Sequence, residues 1–327
     1  MSTPGTQHQL TVLRYGQADA RPKIYLQASL HADEVPGMLV LHHLRTMLTA
    51  LEEAGHIKGE IVLVPSANPL GLAQHVHGSH LGRFHLGDGV NFNRGFPNLI
   101  DGIAARVGDK LGSDAHANRQ LIRGAALSEL AATPARTEHE RLKHILLGQA
   151  LDADVVLDLH CDAEAVMHLY CGTALVQQCT PLAQLMGARA VLYAHESGDD
   201  PFDEACARLW WELAARFPLA AIEPACLAVT VELRGEADVG HTTAKQDARA
   251  LLSFMTLRGA TEGTAPVLPD ALCMPTPLAG SEPLTASHSG VVVFHHAPGD
   301  IVQEGEAVAD VIDPISGATQ SVKATTS

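Results

Sequence analysis

From its start to about residue 260 the chain alternates apolar runs of strand length with longer amphipathic stretches, and this alternation is what most restricts the fold. It predicts an α/β architecture, strands covered by helices. The strand-length runs are Leu10–Tyr15, Lys23–Ala28, Glu60–Pro65, Val155–His160, Val166–Cys171, Ala188–Ala194 and Leu227–Leu233. Several lack strict polar/apolar alternation, as strands buried on both faces do. Helices are predicted over Pro36–Glu53, Asn118–Ala131, Glu138–Leu151, Pro181–Gly187, Asp203–Arg216 and Thr243–Leu257. Pro36 falls in the first turn of its helix, where a missing N–H costs nothing.

Between Pro69 and Ala115 the periodicity fails and Gly, His, Asn and Asp dominate, the composition of a long functional loop. Five prolines between Gly263 and Pro283 predict a junction, dividing the chain into residues 1–262 and a small β-hairpin domain over 263–327. The second part holds the runs Val291–His295, Ala307–Ile312 and Gln320–Lys323, separated by turns at Pro298–Asp300 and Glu304–Glu306. Its third run is short, so this domain is expected to be incomplete.

A formal charge of −15 argues against nucleic acid and against an anionic membrane surface as partners, because both demand a basic patch. The longest apolar run, Ala220–Val231, is broken by Glu223 and Pro224 and falls short of the ~20 residues that span a bilayer. Met1–Leu10 is polar and lacks the features of a secretion signal. Six cysteines without a C-x-x-C pair predict reduced thiols in a cytoplasmic protein.

Four segments can carry chemistry. His31-Ala32-Asp33-Glu34 follows the run Lys23–Ala28, and an imidazole and a carboxylate three residues apart can turn toward one cation. With 19 histidines in the chain, one such spacing is expected by chance, so it carries nothing alone. His160 ends an apolar strand, with Asp158 on the same face to fix its tautomer if it is a ligand; as a core histidine it would simply be hydrogen-bonded. Glu232 ends another apolar strand, either as an exposed strand-end carboxylate or as a general base tuned by burial. Arg234, two residues on, is a potential ion-pair partner for it. Arg83, Asn93 and Arg94 lie among glycines and aromatics in the irregular stretch, a pattern suited to an anion pocket.

Taken in order, His31–Gly37, Asn68-Pro69, Asn91–Pro97, Asp158–His160 and Val231–Gly235 resemble the succinylglutamate desuccinylase/aspartoacylase family, a branch of the zinc carboxypeptidase superfamily. The resemblance runs from about residue 23 to 260 and implies a mixed β-sheet flanked by helices. It implies one zinc ion per chain held by His31, Glu34 and His160, with Glu232 as the base that takes a proton from water. Arg83 then polarises the scissile carbonyl, and Asn93 and Arg94 hold a substrate carboxylate. The spacing from Arg83 to Asn93 is longer than in aspartoacylase, and Arg234 stands where relatives have a small residue, so Arg234 is expected to bear on substrate binding. The C-terminal turns resemble biotinyl/lipoyl-like hairpins, yet the only lysine after Lys245 is Lys323, which does not suit a carrier.

The implied reaction is hydrolysis of an N-acyl amino acid or related carboxylate-bearing amide, with a small anionic molecule as partner and a homo-oligomer compatible with it. A carboxypeptidase would use the same residues on a peptide C-terminus. A non-catalytic metal- or ligand-binding protein would have no use for Glu232.

Overall fold

The structure is a computed structural model that describes residues 5–326; Met1–Pro4, part of the N-terminal stretch considered above, and Ser327 lie outside the described residues. Its elements are, in order, β1 (Leu13–Tyr15), β2 (Lys23–Ala28), α1 (Pro36–Glu53), β3 (Glu60–Val64), α2 (Pro69–Leu72), β4 (His75–Val76) and β5 (Ser79–His80). There follow α3 (Ile100–Val107), α4 (Ala115–Ala132), α5 (Glu138–Ala150), β6 (Val155–Asp162), β7 (Met167–Gly172), α6 (Val176–Met186) and β8 (Ala190–Ala194). The chain continues through α7 (Phe202–Arg216), β9 (Leu227–Gly235), α8 (His241–Leu257), β10 (Thr276–Pro277), β11 (Val291–Phe294), β12 (Ala307–Ile312) and β13 (Thr319–Lys323).

β2 and β3 are buried at every position and β6 at every position but its last. The cause is helix cover on both sides, since α1, α6 and α8 pack together on one face and α3, α4, α5 and α7 on the other. The central sheet has the order β1-β3-β2-β6-β9-β7-β8-β10. Its middle, β3, β2, β6 and β9, is parallel, while β1 opposes β3 and β7 opposes β9. This is the mixed, helix-flanked sheet that the sequence predicts, with β11, β12 and β13 forming a separate antiparallel sheet after it.

Helix α1 shows how the sequence brings chemistry to the strand ends. Pro36 fixes its first turn, and the buried Val40, Leu41, Leu44 and Leu48 make one apolar stripe. At Gly37 a Cβ would lie 3.0 Å from the Cβ atoms of Ala28 and Leu159, so only glycine lets the helix start this close to β2 and β6. The segment 29–35 between β2 and α1 is thereby held over the carboxyl ends of the parallel strands, where open α/β sheets form their crevices.

Three departures from expectation have physical reasons. Helix α6 begins at Val176, with Pro181 inside it, rather than at Pro181. The proline leaves the carbonyl of Gln177 without its helical donor, which is tolerated because Gln177 is exposed to water. The irregular stretch contains α3, whose buried Ile100, Ile103, Ala104 and Val107 keep helical spacing over only two turns. The proline-rich stretch expected as a junction contributes β10 to the central sheet, where Thr276 and Pro277 pair with Leu192 and Tyr193. Among the described residues no helix is long and apolar enough to cross a membrane, and all six cysteines are free.

Candidate active site

Strands β6 and β9 lie side by side in parallel, and their register sets His160 directly against Glu232. The turn after β2 brings His31 and Glu34 to the same place. His31 Nδ1 is 2.8 Å from Glu34 Oε1, and His160 Nδ1 is 2.7 Å from Glu34 Oε2. All three side chains are buried, and the two imidazoles meet edge to face with centroids 5.0 Å apart.

The far ring nitrogens are held as well. His31 Nε2 lies 2.9 Å from Asn91 Oδ1, an oxygen that also accepts the backbone N–H of Asn93. His160 Nε2 lies 2.9 Å from Asp158 Oδ2, although off the line of a good hydrogen bond. The Asn91 oxygen puts a proton on His31 Nε2 and leaves its Nδ1 lone pair facing Glu34, whereas His160 Nε2 lies between the Asp158 carboxylate and Asn93 Nδ2, 3.4 Å away. Two ring nitrogens and the Glu34 carboxylate lie close enough together to share a divalent cation, and two imidazoles with one carboxylate are the donors of an open catalytic site.

The electrostatics tie these groups to one another. Burial alone would depress the pKa of His160, but Asp158 and Glu34 outweigh it and hold the imidazole well above its usual value. Burial alone would raise Glu34, but His160 and His31 hold its carboxyl far below the usual range. Glu232 differs: burial, with Glu34 and Asp162 nearby, pushes it up to about 7 against the pull of His160. Its Oε2 is buried without a hydrogen bond.

A cavity of about 340 Å³ opens over these groups, lined by His31, Arg83, Asn93, Arg94, His160 and Glu232 among others, a size suited to a small molecule. Arg83 stands half-exposed on its rim and donates from Nη2 to Glu34 Oε1 at 2.8 Å. Asn93 is buried, and its Oδ1 accepts the Phe202 N–H at the start of α7, so its Nδ2 is the part turned toward His160. Arg94 donates to the carbonyl of Asn93, bracing the loop it sits on.

Arg234 is not brought to this cavity and does not pair with Glu232. Its partner is Asp247 of α8. The reason is a bulge: β9 fits two residues, Leu233 and Arg234, between the pairs His160–Glu232 and Asp162–Gly235, where β6 has only Cys161. Arg234 takes a left-handed φ of 70°, and simple alternation fails there. Three residues at the site escape the sequence reading. Asn91 orients His31, Tyr170 lines the cavity, and Asp203 lines it as a buried carboxyl that burial and Glu204 push up to about 7. In the sequence Asp203 and Glu204 look only like ordinary acids of a helix first turn, and that is also where they sit.

Residues 20–258 match the model of the succinylglutamate desuccinylase/aspartoacylase catalytic domain. A search of curated proteins finds no match. Among solved structures, the chain is similar to a succinylglutamate desuccinylase/aspartoacylase family protein of Shewanella amazonensis SB2B, with 26% identity, TM-score 0.81, and 97% of this chain and 87% of that one covered. A protein of Shewanella frigidimarina NCIMB 400 assigned to the same activities gives 24% identity and TM-score 0.82 over 97% and 86% of the two chains. The product-bound ectoine utilization protein EutE (DoeB) of Ruegeria pomeroyi shares the fold at 19% identity, with TM-score 0.65 over 97% and 81%. With nearly three quarters of its length inside the catalytic-domain match, the chain belongs to the succinylglutamate desuccinylase/aspartoacylase family of amide-hydrolysing deacylases.

Proposed function

We propose that the protein hydrolyses the amide bond of an N-acyl amino acid or a related carboxylate-bearing amide, using one zinc ion held by His31, Glu34 and His160. The observation that carries this reading is Glu232, a half-buried carboxylate set against His160 by strand register, lining the same cavity and with its buried Oε2 unpaired. When bound at such a site, zinc polarises a carbonyl and lowers the pKa of water toward ~7. Glu232, itself raised to about 7, is matched to take a proton from water at neutral pH and return it to the departing amine.

The remaining side chains have complementary work. The guanidinium of Arg83, on the cavity rim, is a donor for negative charge developing on the carbonyl oxygen. Asn93 Nδ2 and Arg94 offer a neutral and a charged donor for a substrate carboxylate, Arg94 being exposed at the cavity wall. Leu278, just after β10, closes part of the wall, which favours a small amide over the C-terminus of a long peptide. The same reading takes a small anionic molecule as partner and the cytoplasm as location. The deciding assay is a screen of N-acetyl, N-succinyl and other N-acyl amino acids beside peptides, with zinc-loaded protein. Release of amine from the acyl amino acids and not from peptides supports the proposal; release from peptides alone overturns it.

A further inference from the structure

We propose that His85, Asp88 and His139 form a second divalent-metal site, of the kind that binds zinc, which pins the irregular segment 83–94 to the start of α5. One donor atom from each of the three lies within 4.8 Å of the others. His85 Nδ1 is 2.7 Å from Asp88 Oδ1, and the two imidazole rings have centroids 5.3 Å apart.

The observation that singles out this cluster is His139. It is only 6% exposed, and its Nδ1 makes no hydrogen bond. The other ring nitrogen is 3.1 Å from Thr137 Oγ1, the cap of α5, which fixes the ring so that Nδ1 faces Asp88 Oδ2 across 3.5 Å. That gap is long for a hydrogen bond but close to the separation of about 3.3 Å expected for two donors that each lie ~2.0 Å from one tetrahedral ion. A buried ring nitrogen left bare is destabilising, and a shared cation removes that penalty. Two imidazoles and a carboxylate select a transition-metal ion over magnesium or calcium, which prefer all-oxygen shells.

The loop is shaped to present its two ligands. His85 donates its backbone N–H to the Val90 carbonyl and accepts from the Gly89 N–H, both at 2.8 Å, while Asp88 Oδ1 accepts the Val90 N–H at 3.2 Å. A bridge between Phe84 and Asn91 closes the turn. Asn91 is also the residue that holds His31 Nε2, so an ion at His85, Asp88 and His139 would stiffen the segment carrying Arg83, Asn91, Asn93 and Arg94. Two features oppose a cation here: the N-terminal end of α5, and Lys143 one turn along it, whose Nζ donates to the carbonyls of Arg94 and Asn91. With three protein donors, His85 partly exposed and Asp88 exposed, the fourth position falls to water. The second ion is therefore bound more weakly than one at His31, Glu34 and His160.

The test is metal content of the full-length protein, stripped with chelator, reloaded with Zn²⁺ and freed of excess by gel filtration. The expected result is about two ions per chain for the natural sequence, about one for His139→Ala, about one for His31→Ala and none for the double variant. Asp88→Asn, a change at an exposed residue that keeps the side-chain oxygen accepting from Val90, is expected to retain native circular dichroism and also fall to about one. The proposal is overturned if the natural protein binds one ion that His31→Ala abolishes, or if His139→Ala and Asp88→Asn each still bind two. Loss of one ion in His139→Ala with no change in His31→Ala would retain this second site and remove the catalytic one instead.

Discussion

Glu232 can act as a base only in its ionised form, and its neighbourhood decides when that form exists. Burial near Glu34 and Asp162 brings its pKa to about 7, so turnover is expected to fall as pH drops below that value. Glu232→Gln keeps the size of the side chain and removes its basicity; it should retain metal yet lower kcat by about 10²–10⁴. A variant that still turns over at the natural rate would refute the role assigned to this carboxylate. Asp203 makes a separate prediction about stability. Its folded pKa of about 7 stands above the ordinary 3.8, so between those values the folded protein holds a proton that the unfolded chain releases. Stability from this group is present at low pH and lost as pH rises toward 7. Asp203→Asn should therefore gain Tm relative to the natural protein at pH 8, by up to a few kcal/mol in free energy, and gain little at pH 4. Equal melting differences at both pH values would rule this out. His31, Glu34, His160 and Glu232 stand out in the sequence only through the ordered segments that resemble a known family, since none of their local patterns is specific alone; the fold brings the four together. Asn91 and Asp203 were not, because what they do depends on partners far along the chain, His31 in one case and a buried acidic surround in the other.

At the scale of elements, the bulge in β9 separates catalysis from scaffolding within three residues. Glu232 faces the cavity, whereas Arg234 is turned to Asp247, a buried carboxylate of α8 whose pKa burial raises and Arg234 pulls back down. Arg234→Ala is expected to leave KM for the best substrate unchanged within about twofold while destabilising the fold by about 1–3 kcal/mol, since it strips a buried acid of its donor. Kinetics and a chemical melt on the same preparation check both halves; a large rise in KM with unchanged stability would return Arg234 to the substrate site. Simple alternation places Arg234 beside Glu232, and the bulge moves it away; nothing in Val231–Gly235 marks an extra residue before the strands are paired. Elements with long apolar stripes, such as α1, were readable to the residue. Those whose limits are set by tolerance of an exposed defect were not, and α6 continues through Pro181 because the orphaned carbonyl can reach water.

For the whole molecule, the decisive matter is where the catalytic body ends. The stretch after α8 is exposed and rich in proline, which in the sequence resembles a linker, but it stays on the body. Gln184 Nε2 donates to the Pro269 carbonyl at 2.8 Å, β10 pairs with β8, and Leu278 reaches the cavity wall. Beyond it the character changes. β11 is exposed at all four positions, and Gly299 meets the body at Val166 and Arg189. Glu282, at the start of this part, accepts the N–H of Thr325 near the end of the chain, tying the small sheet chiefly to itself. Two truncations should then behave differently. A chain ending at residue 284 is expected to melt within about 4 °C of the natural protein and to keep its turnover, because it loses little buried surface. A chain ending at 262 loses the eighth strand, uncovers the edge of β8 and removes Leu278 from the cavity wall, so it should melt well below the first and accept bulkier amides. Matching melts and matching substrate profiles for the two truncations would place the end of the catalytic body at residue 262 after all.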